Sequence, residues 1–198
     1  CGGCQLQHLP YARQLEWKGR VVADALERIG GLRGIEPPEV VASPRETGYR
    51  SRVTFTLRRL RGGRVVAGFH ELGRPSRLID VAGECVLPRP ELVEAWQALR
   101  AAWGDGARLL PRGKRLRLTL RAGADGVALV IEGGARGWRA HDLAAAVPVL
   151  VRIWHRPDTA DAPELAAGAP DEGAAPSFTQ VNPEAAALLV EHVIALAG

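Results

Sequence analysis

Two runs of this chain alternate strictly between apolar residues and arginine or threonine, and they leave little choice of fold. In the first, Val53, Phe55 and Leu57 point one way while Arg52, Thr54, Thr56 and Arg58 point the other. In the second, Leu116, Leu118 and Leu120 alternate with Arg115, Arg117, Thr119 and Arg121. Successive side chains of a strand leave opposite faces, so each run reads as a strand with one buried and one polar face. Gly62-Gly63 turns the first run back into a strand over residues 65–70, and a third strand covers 78–81. Residues 122–126 turn the second run into a strand over 127–131, and residues 149–154 form one more. The expected fold class is α+β, a half-buried antiparallel β-sheet with flanking helices.

Three helices frame these strands. Pro10 stands at a helix entry, Leu15, Val22, Leu26 and Ile29 follow on one stripe, and Gly30-Gly31 supplies the stop, so residues 10–29 read as an amphipathic helix. Pro90 opens a second, whose stripe of Leu92, Trp96, Leu99 and Trp103 is core and which Gly104 ends. Asn182-Pro183-Glu184 opens a third with a cap, a first-turn proline and a first-turn acid, and Leu189, Val193 and Leu196 give it a face. Glu36-Pro37-Pro38 is a linker. Residues 157–176, rich in Ala, Pro, Asp and Glu, read as a poorly structured acidic connector.

At 198 residues and 46% hydrophobic, the chain can bury one core and part of a second. It has no run of about 18 uncharged apolar residues and no basic-then-apolar leader, so a soluble cytoplasmic protein without a membrane partner is expected. The net charge of +4 conceals a sorting along the chain. Residues 45–77 carry nine arginines against Glu46 and Glu71, a balance of +7, and residues 108–121 add six basic residues and no acid. From Arg156 onward one arginine faces seven acids, a balance of −6. A basic middle with an acidic end suits a polyanion that touches the middle alone. A solvated strand face written in arginine is the plainer account of the same residues.

Three cysteines, Cys1, Cys4 and Cys85, are too few and too unevenly placed for a disulfide framework. In Cys1-Gly2-Gly3-Cys4 the glycines let two sulfurs converge in a tight loop. A redox pair, a zinc knuckle and part of an iron-sulfur site all use such a pair. The redox account expects a preceding strand, and none stands before Cys1. Cys85 on its own reads equally as an ordinary buried cysteine. The first residue is a cysteine, so a start upstream is expected.

These motifs together resemble the bacterial RNA uracil-C5 methyltransferases that act on ribosomal RNA and carry an iron-sulfur cluster. Cys1-Gly2-Gly3-Cys4-Gln5-Leu6-Gln7-His8 is similar to their cluster motif, and Gly48-Tyr49-Arg50-Ser51-Arg52 to their basic strand start. Gly68-Phe69-His70-Glu71, Leu78-Ile79-Asp80-Val81 and Cys85-Val86-Leu87-Pro88 follow in the family's order. Ser177-Phe178-Thr179-Gln180-Val181-Asn182-Pro183 resembles the entry to its methyltransferase domain. The family's first cluster cysteine, its N-terminal barrel and the later part of its methyltransferase domain have no counterpart among these residues.

The resemblance implies a [4Fe-4S] cluster with Cys1, Cys4 and Cys85 as three of its ligands. It implies S-adenosyl-L-methionine as methyl donor, with Gln180 beside it, and RNA, ribosomal rather than transfer, as partner. It also implies a division into a central iron-sulfur and RNA-binding domain over 1–156, the connector over 157–176, and over 177–198 the start, up to its first helix, of an α/β methyltransferase domain. Arg50 and Arg52 are the candidate phosphate contacts. His70 is a candidate base-stacking residue or a hairpin histidine, and Phe178 lines the cleft or joins the core. Asn182 caps the last helix. In the family a cysteine thiolate adds to uracil C6, C5 takes the methyl group, a carboxylate removes the C5 proton, and the cysteine leaves. Both catalytic groups lie later in the family's sequence, so no catalytic residue is expected here and the 198-residue chain is expected to be silent alone. A stand-alone zinc or iron-sulfur RNA-binding module is the alternative function.

Overall fold

The structure is a computed structural model, and it describes residues 4–169 and 178–198. The chain forms two units, one ending at Glu46 and the other running from Thr47 to the C-terminus. In the first, α1 spans Tyr11–Arg28, as its apolar spacing and the following glycines require. Its buried residues are Gly19 and Ala23, and the expected stripe at Val22, Leu26 and Ile29 is exposed. Small residues are buried there because an extended strap lies close against the helix. A Cβ on Gly19 would stand 2.7 Å from the Pro38 carbonyl oxygen. The strap is tied by the Ser43 N–H, which donates to the Tyr11 hydroxyl at 2.8 Å.

The second unit is built on one seven-stranded sheet. Its strands are β1 (Arg52–Arg59), β2 (Val65–Glu71), β3 (Arg74–Asp80), β4 (Arg115–Gly123), β5 (Gly126–Glu132), β6 (Leu150–Arg156) and β7 (Glu164–Gly168), ordered β3-β2-β1-β4-β5-β6-β7. All neighbours are antiparallel except β5 and β6. That parallel pair departs from the expected all-antiparallel sheet, and it follows from a crossover through α3 (Ala140–Ala146), a helix too short to have declared itself in the sequence. Strand β3 also starts earlier than expected, at Arg74.

Helices α2 (Pro90–Ala102) and α3 cover one face of the sheet. Leu92, Trp96, Leu99 and Leu143 join Val53, Phe55, Leu57, Leu116, Leu118, Leu120, Leu129 and Ile131 in a single core. Phe55 stacks on Trp96 with ring centres 3.7 Å apart, Trp103 meets Trp96 edge-on, and the Trp96 indole N–H is satisfied by Val81 O at 2.7 Å. Both tryptophans are core, as the helical stripe required.

The segment expected to be a structureless connector needs correction. Residues 164–168 form β7, an edge strand paired with β6, in which Ala167 is buried. An alanine-rich strand has almost no side-chain pattern, and backbone pairing to β6 holds it in place. The rest of that segment from 170 to 176 lies outside the described residues, as do Cys1 and Ser177. The last helix, α4 (Pro183–Ala197), belongs to the second unit and has no buried residue. No helix among the described residues is long and apolar enough to cross a membrane.

Candidate nucleic-acid interface

With both helices on one face, the other face of the sheet is left to its polar residues. Register puts Arg52 of β1 directly opposite Arg121 of β4, Thr54 opposite Thr119, and Thr56 opposite Arg117. The next strands continue the row, with Glu132 of β5 opposite Arg117 and Arg156 of β6 opposite Glu132. All of these except Thr56 line an open groove of about 420 Å³, together with Asp161, Pro163 and Phe178.

The charges of this face are unevenly compensated. Glu132 accepts from both Arg156 Nε, at 3.2 Å, and the adjacent Arg156 guanidinium nitrogen, and its second oxygen lies 3.5 Å from Arg117 Nε. Arg152 is paired with Asp125. Among the described residues, Arg52 and Arg121 form no ion pair with a carboxylate. Burial, and after it the charge of Arg52, lowers the pKa of Arg121 from the ordinary guanidinium value, yet an arginine stays charged in a protein. Thr54 and Thr119 hydroxyls sit 2.8 Å apart and share one hydrogen bond.

The strand start that carries Arg50 and Arg52 joins two of the sequence motifs. Gly48 N–H donates to Val86 O and Arg50 N–H to Leu87 O, both at 2.9 Å, and Arg89 N–H returns a bond to Arg50 O. One residue on, Ser51 N–H donates to Val181 O at 2.8 Å. The Cys85–Pro88 stretch and the Phe178–Asn182 stretch are thus both fixed to residues 48–51 by backbone hydrogen bonds. Phe178, 76% exposed, is not core, and the Arg52 guanidinium lies 5.9 Å from its ring centre. Arg121 reaches Thr179 Oγ1 at 3.4 Å. Gln180 is exposed beside them, and Asn182 caps α4 by accepting from Ala185 N–H at 3.0 Å.

The remaining candidates are placed as follows. His70 lies on the same open face, next to Thr56, whose hydroxyl is 3.2 Å from its Nε2; its Nδ1 is bonded to Pro75 O. With both nitrogens taken, only the ring surface remains for a base. Arg50 Nε is buried without a hydrogen-bond partner among the described residues. Cys4 and Cys85 are free thiols, each partly exposed, and belong to different units. Thiols are the donors an iron-sulfur cluster takes, but among the described residues no three metal-binding side chains are grouped. Arg121 and Thr119 were not singled out from the sequence. Their alternation was visible, but nothing local to either strand says that β1 and β4 are neighbours.

No family model matches the sequence. Individual relatives do. The chain is 33% identical over 214 aligned residues to the 23S rRNA (uracil(1939)-C(5))-methyltransferase RlmD of Thiobacillus denitrificans, an alignment that covers 99% of this chain and 48% of that protein. It is 43% identical over 81 residues to an uncharacterized RNA methyltransferase of Synechocystis, covering 41% of this chain and 17% of the relative. A further uncharacterized RNA methyltransferase, from Thermosynechococcus vestitus, is 40% identical over 102 residues, covering 52% and 22%. The chain therefore spans at most about half the length of these curated relatives. Over nearly its whole length the chain is thus similar to about half of a named 23S rRNA uracil-C5 methyltransferase, and its other relatives are named RNA methyltransferases.

Proposed function

We propose that these residues form the RNA-gripping part of an S-adenosyl-L-methionine-dependent RNA uracil-C5 methyltransferase acting on 23S ribosomal RNA, soluble in the cytoplasm. The observation that carries this reading is the hydrogen bond from Ser51 to Val181, which holds Phe178, Thr179 and Gln180 at the end of an arginine-lined sheet face. Guanidinium groups at that face take backbone phosphates, and the exposed Phe178 ring, with the face of His70 as a second platform, takes bases. A uracil must leave its stack before its C5 is reached, so grip on the flanking nucleotides holds the strand open. Gln180, in the family motif at the entry to the methyltransferase domain, is the residue we assign to contact with the methyl donor. Residues 177–198 are read as the start of that domain. None of the three cysteines is assigned to catalysis.

Cys1, Cys4 and Cys85 are the residues that would hold a [4Fe-4S] cluster. Their thiol chemistry supports this, and the backbone bonds of Val86 and Leu87 to the arginine-bearing strand tie Cys85 closely to the RNA face.

The reading is tested by fluorescence anisotropy with a single-stranded 23S rRNA fragment across a salt series. Salt-sensitive binding that weakens in the R50A/R52A variant is expected. Absence of binding, or binding unchanged in the variant, returns the arginines to a solvated surface. Anaerobic incubation with iron and sulfide, followed by iron and labile-sulfide analysis, tests the cluster; retention of zinc or of no metal would remove it.

A further inference from the structure

We propose that Arg52 and Arg121 form a single clamp for one phosphodiester group, completed by the Thr54–Thr119 hydroxyl pair; this rests on the RNA reading above and narrows it to one contact. The two arginines occupy directly opposed positions of antiparallel strands. Opposed Cβ atoms in such a pair are about 5 Å apart. Equal side chains rising from them deliver both guanidinium forks to the same place, where each can offer two N–H groups to a pair of phosphate oxygens.

Of the four arginines that line the groove, Arg52 and Arg121 are the two without a carboxylate partner among the described residues. Arg117 and Arg156 share Glu132, and Arg152 has Asp125. Asp161 lines the same groove but pairs with neither Arg52 nor Arg121. Like charges directly opposite one another destabilise a sheet, and the charge of Arg52 adds to burial, the larger cause, in lowering the pKa of Arg121. An anion between them removes that penalty. The hydroxyl pair supplies the last donor. When two hydroxyls 2.8 Å apart share one hydrogen bond, one proton is used between them and the other O–H is left to donate outward. Phe178, held against Arg52, makes this the place where a phosphate and its own nucleotide's base are gripped together.

A double-mutant cycle tests the clamp. Binding of a single-stranded oligouridylate is measured against salt for the wild type, R52Q, R121Q and R52Q/R121Q. If both arginines serve one phosphate, the slope of log affinity on log salt falls by about 0.7 in the double variant, and the second substitution weakens binding much less than the first. Two independent phosphates would give a fall of about 1.4 with additive losses, which overturns the clamp while leaving the RNA reading intact. Failure of the wild type to bind RNA overturns both. A second readout needs no RNA: with the repulsion relieved, R121Q should melt at or above the wild-type temperature, and a clearly lower melting temperature makes Arg121 a structural residue and refutes the clamp. Inorganic phosphate, compared with chloride at matched ionic strength, separates the sources. Stabilisation of the wild type but not of the double variant by phosphate, with the RNA slope unchanged, would assign the pair to free phosphate and refute the RNA clamp.

Discussion

The backbone N–H of Ser51 donates to the carbonyl of Val181 at 2.8 Å, while the Ser51 carbonyl accepts from Ala122 N–H at 2.8 Å. One residue before β1 thus links the last stretch before α4 to the end of β4, and through it Phe178 comes to the arginine face. The side chain adds little: Ser51 Oγ lies 3.3 Å from Val181 O and 3.5 Å from Gln180 O.

Removing the two kinds of bond separately should therefore give unequal results. S51A is expected to cost a few tenths of a kcal/mol, whereas S51P, which deletes the N–H and orphans Val181 O, should cost about 1–3 kcal/mol in urea unfolding. The residue before a proline must be extended, and Arg50 already is, since it forms a bridge with Pro88, so the loss reports the missing donor. Equal effects of the two variants would mean that the backbone bond is not what holds the segment.

Arg59 offers a contrast to the arginines of the open face. Its guanidinium donates to Gly106 O at 2.7 Å, Gly113 O at 2.6 Å and Ala107 O at 2.8 Å, tying the loop after α2 to β1. Burial lowers its pKa. R59M should destabilise by on the order of 3 kcal/mol, and R59K should recover little, because one ammonium cannot reproduce a planar fork. RNA affinity of the folded fraction should not change. Thermal melts and anisotropy on the same samples check both halves.

Asp80 carries a pH dependence whose sign is fixed. Burial alone would raise its pKa, but the hydrogen bond from Arg100, the Ala67 N–H and the Arg100 charge together outweigh burial and hold it below the ordinary aspartate value. A carboxyl with a depressed folded pKa stabilises fully above its unfolded pKa, and that contribution is lost as pH falls through the folded value. Stability should therefore decline from about pH 4 downward. D80N should lower stability at neutral pH and flatten that decline. An unchanged acid limb in D80N would show that Asp80 is not the group responsible.

The parts of this architecture legible in the sequence are those in which a strong local pattern repeats. Alternation around Phe55 and Leu118 gave β1 and β4, and the stripe of Leu92, Trp96 and Leu99 gave α2. β7 was hidden because Ala166 and Ala167 carry too little apolar contrast to mark a face. In α3, Leu143 is the one large buried residue in a helix of seven, too short to show a period. The candidate site was half legible for a different reason. Arg52 and Arg121 each stood on a visible polar face, but their opposition is a non-local strand pairing, and the compensation of Arg117 by Glu132 depends on it too.

Gly68-Phe69, one of the motifs that carried the family resemblance, is a requirement of the fold. Gly68 lies opposite Asp80 of β3, and a Cβ there would stand 2.0 Å from Ile79 O and 3.0 Å from Val81 N. Both are backbone atoms of a paired strand, so neither can move aside as a flexible side chain would. Phe69 packs on Phe55 with ring centres 5.0 Å apart, continuing the stack that reaches Trp96. G68A should therefore force β2 and β3 apart and cost about 3 kcal/mol or more, as overpacking against rigid neighbours does. Because Asp80 pairs with Gly68 and holds Ala67 N–H, the acid limb described above should be weakened in the same variant. Chemical unfolding at neutral and acid pH tests this directly, and a G68A protein of wild-type stability would show that the two strands are not packed this closely.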